Sequence, residues 1–189
     1  MSTARRVHYS YEEYLGALED SDIKLEYFDG EIYAMAGSTL AHAELGARAI
    51  AQLTQALGGA CRVLTSDAKV QVEATGLATF PDATIACGDL KNAANDRNAL
   101  VNPAVLIEVT SKGTEDYDRG EKLSQYRQIP SLRAVLLISH RSQRVTVVER
   151  GTAGWATREV RAGEQLSLEN PKLTLSVDAL YRGVALDPS

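Results

Sequence analysis

The chain has 189 residues, 44% hydrophobic and 24% charged, which supplies enough apolar content for a core and is too balanced for global disorder. Its formal net charge of −5 argues against a protein that simply coats nucleic acid, and the length fits one domain over residues 1–189. No apolar run reaches the roughly 20 residues that cross a bilayer, and residues 1–6 lack the apolar stretch of a signal peptide, so a cytoplasmic location is expected.

Ser10, followed three residues later by Glu13, reads as a capping box that opens a helix over Tyr11–Leu18. Two alternating apolar runs follow, one on each side of Asp29-Gly30. That dipeptide is a strong hairpin signal, because glycine accepts positive φ. Ser38 or Thr39 caps a long helix that ends near Leu57, before Gly58-Gly59. Leu45, Ala49, Leu53 and Leu57 give this helix an apolar stripe.

Strands are expected near Arg62–Leu64 and Ala68–Val72, then over Ala78–Ala86 after a turn at Ala74–Gly76. Residues 88–102 are polar and read as a loop with some helical character. Pro103–Thr110 is apolar at successive positions, as in a strand covered on both faces. A loop at Lys112–Asp116 and a helix over Tyr117–Gln128 lead to a second buried strand, Ala134–Ser139. Two apolar strands joined by a helix suggest a right-handed βαβ crossover. Arg144–Glu149 and Trp155–Val160 form an antiparallel pair, and the tail over Leu166–Leu180 adds an edge strand and a short helix. These elements make an α/β fold with a mixed central sheet flanked by helices.

Cys61 and Cys87 lie in apolar stretches and are read as buried free thiols. His8, His42 and His140 are scattered, so no structural zinc site is expected. Basic residues from Lys112 to Arg150 follow an acidic N-terminal segment; the ordinary account of such charges is solvated surface.

Glu108 carries the most information. A carboxylate amid Val105, Leu106, Ile107 and Val109 must have its charge compensated, because desolvation costs several kcal/mol. A metal ion, a cation such as Lys122, or a water-filled cleft would each serve, and a satisfied buried ion pair is an even competitor. A second acid, Asp82, follows Pro81 inside another apolar strand; Pro81 removes a ladder donor and disturbs the strand there. Two acids on neighbouring strands supply the oxygen ligands that Mg²⁺ or Mn²⁺ prefers, with the Val109 carbonyl able to complete the set. Asp118, Lys122 and Tyr126 share a helix face. From there Lys122 can reach the acids, unless it simply forms a surface pair with Asp118.

In this order, the run from Lys24 to Ile32, His42 in a helix, Pro81-Asp82, Ile107–Ser111 and Tyr117–Tyr126 resembles the Uma-type endonuclease family. That family belongs to the PD-(D/E)XK restriction-endonuclease-like superfamily. The resemblance implies that Asp82 and Glu108 are metal ligands, joined by Val109, and that the cofactor is Mg²⁺ or Mn²⁺. Thr110 stands where the motif has its lysine. Lys122 resembles a migrated replacement, and Glu26 an additional active-site acid. His42 stays outside the catalytic set, since a lone helical histidine is more often packed or solvated.

The implied activity is hydrolysis of phosphodiester bonds in nucleic acid, DNA in the first place, by an endonuclease that is a candidate homodimer. The competing readings are a catalytically silent nucleic-acid or protein-binding module on the same fold and a metal-dependent hydrolase of a smaller phosphorylated substrate.

Overall fold

The computed structural model describes residues 7–35 and 37–188; residues 1–6, read above for a signal peptide, lie outside the described part. Helix α1 (Tyr11–Glu19) starts at the complete Ser10/Glu13 capping box. β1 (Leu25–Phe28) and β2 (Glu31–Ala34) form the hairpin, and Asp29 and Gly30 take φ of 49° and 78° at its turn. Helix α2 (Leu40–Leu57) is capped by the Thr39 side chain and stops at Gly58, which adopts the left-handed conformation.

β3 (Cys61–Thr65) and β4 (Lys69–Val72) follow. The single strand expected over Ala78–Ala86 is two, β5 (Leu77–Thr79) and β6 (Ala83–Cys87), placed in different sheets. The break falls at Phe80-Pro81-Asp82, where proline has no N–H for a ladder. Residues 88–102 hold β7 (Asn92–Ala93) and β8 (Asp96–Leu100) instead of a loop with helical character. Local sequence hides β8 because Asp96, Arg97 and Asn98 are poor strand formers. A buried Lys69–Asp96 ion pair (2.5 Å) and a hydrogen bond from the Tyr11 hydroxyl to Asp96 (2.9 Å) tie it down.

β9 (Val105–Val109) leads into α3 (Glu115–Tyr117), a π-helical turn (Asp118–Lys122) and α4 (Leu123–Tyr126), then β10 (Ala134–Ile138). β11 (Arg144–Gly151), β12 (Gly154–Arg161), β13 (Gln165–Glu169), β14 (Lys172–Ser176) and α5 (Val177–Tyr181) complete the chain.

The sheet that carries the site runs β12-β11-β10-β9-β6-β3, with β9 and β10 parallel and its other neighbours antiparallel. A second six-stranded sheet runs β2-β1-β5-β4-β8-β7. The tail pairs β13 with β14 in a separate ribbon and adds no edge to the central sheet.

On one face of the central sheet, Val105, Ile107 and Val109 pack with Leu45, Ala49 and Leu53 of α2, the tail ribbon and α5. Fully burying a leucine such as Leu45 or Leu53 contributes roughly 1.5–3 kcal/mol. On the other face, Leu106, Val135 and Leu137 pack under Leu123 and Tyr126 of α4 and against Val70, Val72 and Leu77 of the second sheet. Strand alternation puts Glu108 on this second face with Leu106. Cys61 and Cys87, expected as free thiols, are disulfide-bonded. They are directly paired across β3 and β6, a juxtaposition that linear sequence does not reveal.

Candidate active site

β6 and β9 run antiparallel with Ala83 opposite Ile107 and Thr84 opposite Leu106. Continuing that register by one residue sets Asp82 against Glu108, on one face of the sheet. Both acids line a cleft of about 720 Å³, together with Glu26, His42, Val109 and Lys122. Glu26 arrives from β1 of the second sheet, so the cleft floor lies where the two sheets meet.

Lys122 reaches the floor from the π-helical turn. In an α-helix, positions 118, 122 and 126 would drift about 80° around the axis; the wider π turn takes up part of that drift. Asp118, Lys122 and Tyr126 are consequently all buried toward the acids. The Lys122 amine lies 3.0 Å from Glu108 Oε1, 3.2 Å from Glu26 Oε1 and 4.0 Å from Asp118 Oδ1. With Lys122 only 4% exposed, the surface pair with Asp118 is not what forms. The Tyr126 hydroxyl donates to Glu108 Oε1 at 2.5 Å, and the Thr79 hydroxyl donates to Glu26 Oε1.

Each facing carboxylate commits one oxygen to the protein and keeps the other. Asp82 Oδ2 accepts the Val109 N–H at 2.7 Å and lies 3.4 Å from His42 Nε2. Glu108 Oε1 accepts Tyr126 and Lys122. No hydrogen bond or ion pair of the described residues reaches Asp82 Oδ1 or Glu108 Oε2.

The electrostatics follow from crowding of acids in a partly dry place. Burial, with the charges of Asp82 and Asp118, outweighs Lys122 and raises the Glu108 carboxyl from an ordinary 4.5 to about 8. Burial also raises Asp118, against the pull of Lys122. Lys122 is pushed the opposite way by burial, but Glu108, Tyr126 and Glu26 hold its amine well above its ordinary value. Burial lowers His42, and hydrogen bonding and charge from Asp82, with Glu108 and the Val109 backbone, raise it on balance.

Five carboxylates line the cleft, Glu26, Asp82, Glu108, Asp118 and Glu121, against His42, Lys24 and Lys122. Lys24 is itself held by Asp67 at 2.9 Å and by Ser66. Among the described residues no three His, Cys, Asp or Glu side chains form a ready-made metal cage. Two carboxylates, each with an uncommitted oxygen, and surplus negative charge nevertheless fit a hard divalent cation. Mg²⁺ commonly takes one or two protein carboxylates and completes its shell with water and substrate phosphate.

Thr110, at the strand position of the motif lysine, does not line the cleft. Its hydroxyl lies 3.1 Å from His140 Nδ1, and Arg141 donates to Nε2 of the same ring. Arg119, Arg144 and Arg150 close contacts within the fold, with Glu115, with Glu159 and with the carbonyls of Arg127 and Ile129. Sequence reasoning left out His42 and did not find Thr79. No pattern marks Thr79, since its meeting with Glu26 joins residues 53 apart in the chain.

Several known proteins are similar to this chain. A chain from Synechocystis sp. (strain ATCC 27184 / PCC 6803 / Kazusa), "Uncharacterized protein slr1290", is 35% identical over 181 residues, 93% of each chain. A second from the same organism, "Uncharacterized protein sll1609", is 28% identical over 83% of this chain and 89% of its own. A crystal structure described as a putative nuclease belonging to DUF820, from Anabaena variabilis ATCC 29413, superposes with a TM-score of 0.71. It covers 85% of this chain and 91% of its own, and at 15% identity it speaks for the fold. Residues 11–179 match the family described as Uma2, putative restriction endonuclease. This span contains every acid of the cleft floor, and the chain belongs to the Uma2 family.

Proposed function

We propose that the chain is a divalent-metal-dependent endonuclease that hydrolyses phosphodiester bonds of nucleic acid, with DNA the favoured substrate and the cytoplasm its place of action. The observation that carries this reading is the facing of Asp82 and Glu108 across adjacent strands in one cleft, with the Lys122 amine beside them. Family membership supports the same chemistry.

Asp82, Glu108 and the Val109 carbonyl would hold a Mg²⁺ or Mn²⁺ ion. Such an ion, when bound, lowers the pKa of water and offsets charge on the scissile phosphate. Lys122 neutralises negative charge as it develops on the phosphate oxygens, at a site where low dielectric strengthens the interaction. Glu26 and Tyr126 orient this machinery: Glu26 holds the lysine from the second sheet, and Tyr126 fixes Glu108 Oε1 so that Oε2 remains the ligand oxygen. A second copy of the chain would let two such sites cut two strands.

The test is cleavage of single- and double-stranded DNA and of RNA, with Mg²⁺, Mn²⁺ or EDTA, beside Glu108→Ala. Metal-dependent cleavage that Glu108→Ala abolishes and Lys122→Met reduces at least a hundredfold is the expected result, each tenfold corresponding to about 1.4 kcal/mol of lost transition-state stabilisation. Metal binding without cleavage of any nucleic acid would point to a smaller phosphorylated substrate, and little Mg²⁺ or Mn²⁺ binding with no cleavage would instead make the chain a silent module. The absence of lysine at Thr110 is the observation on that side.

A further inference from the structure

We infer that His42 is a positioning residue for Asp82, one that selects which oxygen of that carboxylate meets the metal; the inference rests on the metal reading above. His42 is the third residue of α2, and its backbone N–H donates to the capping Thr39 hydroxyl at 3.2 Å. The helix behind it is anchored by buried Ala41, Leu45 and Ala49. The imidazole is therefore delivered from a rigid element, with the side chain only 17% exposed.

Its Nε2 approaches Asp82 Oδ2 at 3.4 Å, the same oxygen that accepts the Val109 N–H at 2.7 Å. Two groups from different elements converge on one oxygen, the β9 N–H by a hydrogen bond and the helical imidazole by an ion-pair contact. They fix the rotation of the carboxylate and leave Oδ1 as the ligand atom. Without the histidine, the Val109 N–H alone would hold the group, and the carboxylate could turn about that single bond. His42 Nε2, the atom that could bind a metal, is turned to Asp82 Oδ2 instead, so the imidazole acts from outside the ligand set. Partners that orient a ligand in this way typically change metal affinity by about 10–100-fold when removed.

Titration calorimetry with Mn²⁺ and no nucleic acid separates the cases. His42→Ala is expected to weaken Mn²⁺ binding by about 10–100-fold, while His42→Gln, which keeps an N–H donor, recovers most of it. A structural role for the ring would lower the melting temperature of both variants in EDTA, whereas positioning leaves it nearly unchanged. Unaltered or tighter Mn²⁺ binding by His42→Ala overturns the inference and leaves the metal site standing. Equal weakening in the alanine and glutamine variants overturns it too, because the donor would then be irrelevant. Absence of Mn²⁺ binding in the unmodified protein, with Glu108→Ala as the reference, overturns the metal reading and this inference with it.

Discussion

Replacing Lys122 with methionine keeps the side chain's length and deletes its charge, and the consequence follows from what surrounds the amine. Lys122 lies 3.0 Å from Glu108 and 3.2 Å from Glu26, with Asp118 at 4.0 Å, and almost none of it is exposed. Removing one partner from a buried ion pair costs about 3–5 kcal/mol, because an uncompensated charge stays behind. Glu108 modulates this cost, since burial already raises it to about 8 with the lysine present. Lys122 lowers that value, so without it the carboxyl rises further. At alkaline pH the variant must either bury an unpaired carboxylate or hold a proton that the original protein has released. Toward pH 5 the carboxyl carries a proton and the penalty shrinks. Urea unfolding in EDTA should therefore show a loss of about 3–5 kcal/mol at pH 9 and clearly less at pH 5.5. In thermal melts of a chain this size, the loss at pH 9 corresponds to about 6–20 °C. Glu108→Gln added to Lys122→Met should cost less than the sum of the two, because the two groups touch. A loss below about 0.5 kcal/mol at pH 9, the scale of an exposed pair, or a larger loss at acid pH would refute this account of the lysine.

Above about pH 8, where Glu108 is ionised, Asp82→Asn should leave the metal-free protein as stable as the original or more so, because it removes one of two facing charges. It should also abolish most of the stabilisation by Mn²⁺, which reaches about 2.7 kcal/mol at a hundredfold excess over Kd; melting of both proteins with and without Mn²⁺ reads this directly. Glu108→Gln should flatten the pH dependence of metal-free stability. The folded Glu108 holds its proton up to about 8 and the unfolded one only to about 4.5. Native protein thus binds more protons in that window, and its stability falls by up to about 1.4 kcal/mol per pH unit as pH rises through it. A slope that survives in Glu108→Gln, measured by urea unfolding from pH 5 to 8.5, would assign the effect to other groups.

Much of the local structure was legible because it depends on short-range chemistry. The Ser10/Glu13 capping box, the Asp29-Gly30 hairpin and the Thr39 cap each work within a few residues, so their signatures survive in the linear text. β9 and β10 were readable from unbroken apolar runs, and Glu108 stood out because a carboxylate violates such a run. Failures cluster where long-range contacts outrank local preference. β8 is held by Lys69 and Tyr11 from elsewhere in the chain, and the split at Pro81 sends β5 and β6 into different sheets. His42 looked ordinary for the same reason: nothing near it in sequence points to Asp82, forty residues on.

By itself the sequence determined which residues could carry the chemistry, two acids in apolar strands and a lysine on the following helix, since burying a charge demands compensation wherever the chain folds. Only the tertiary structure decided how that compensation is shared. Register sets Asp82 against Glu108, the π-helical turn brings Lys122 between Glu108 and Glu26, and α2 delivers His42 to the oxygen that Val109 already holds. Those distances follow from the packing of helix and sheet, and packing is a property of the whole chain that no window of sequence contains.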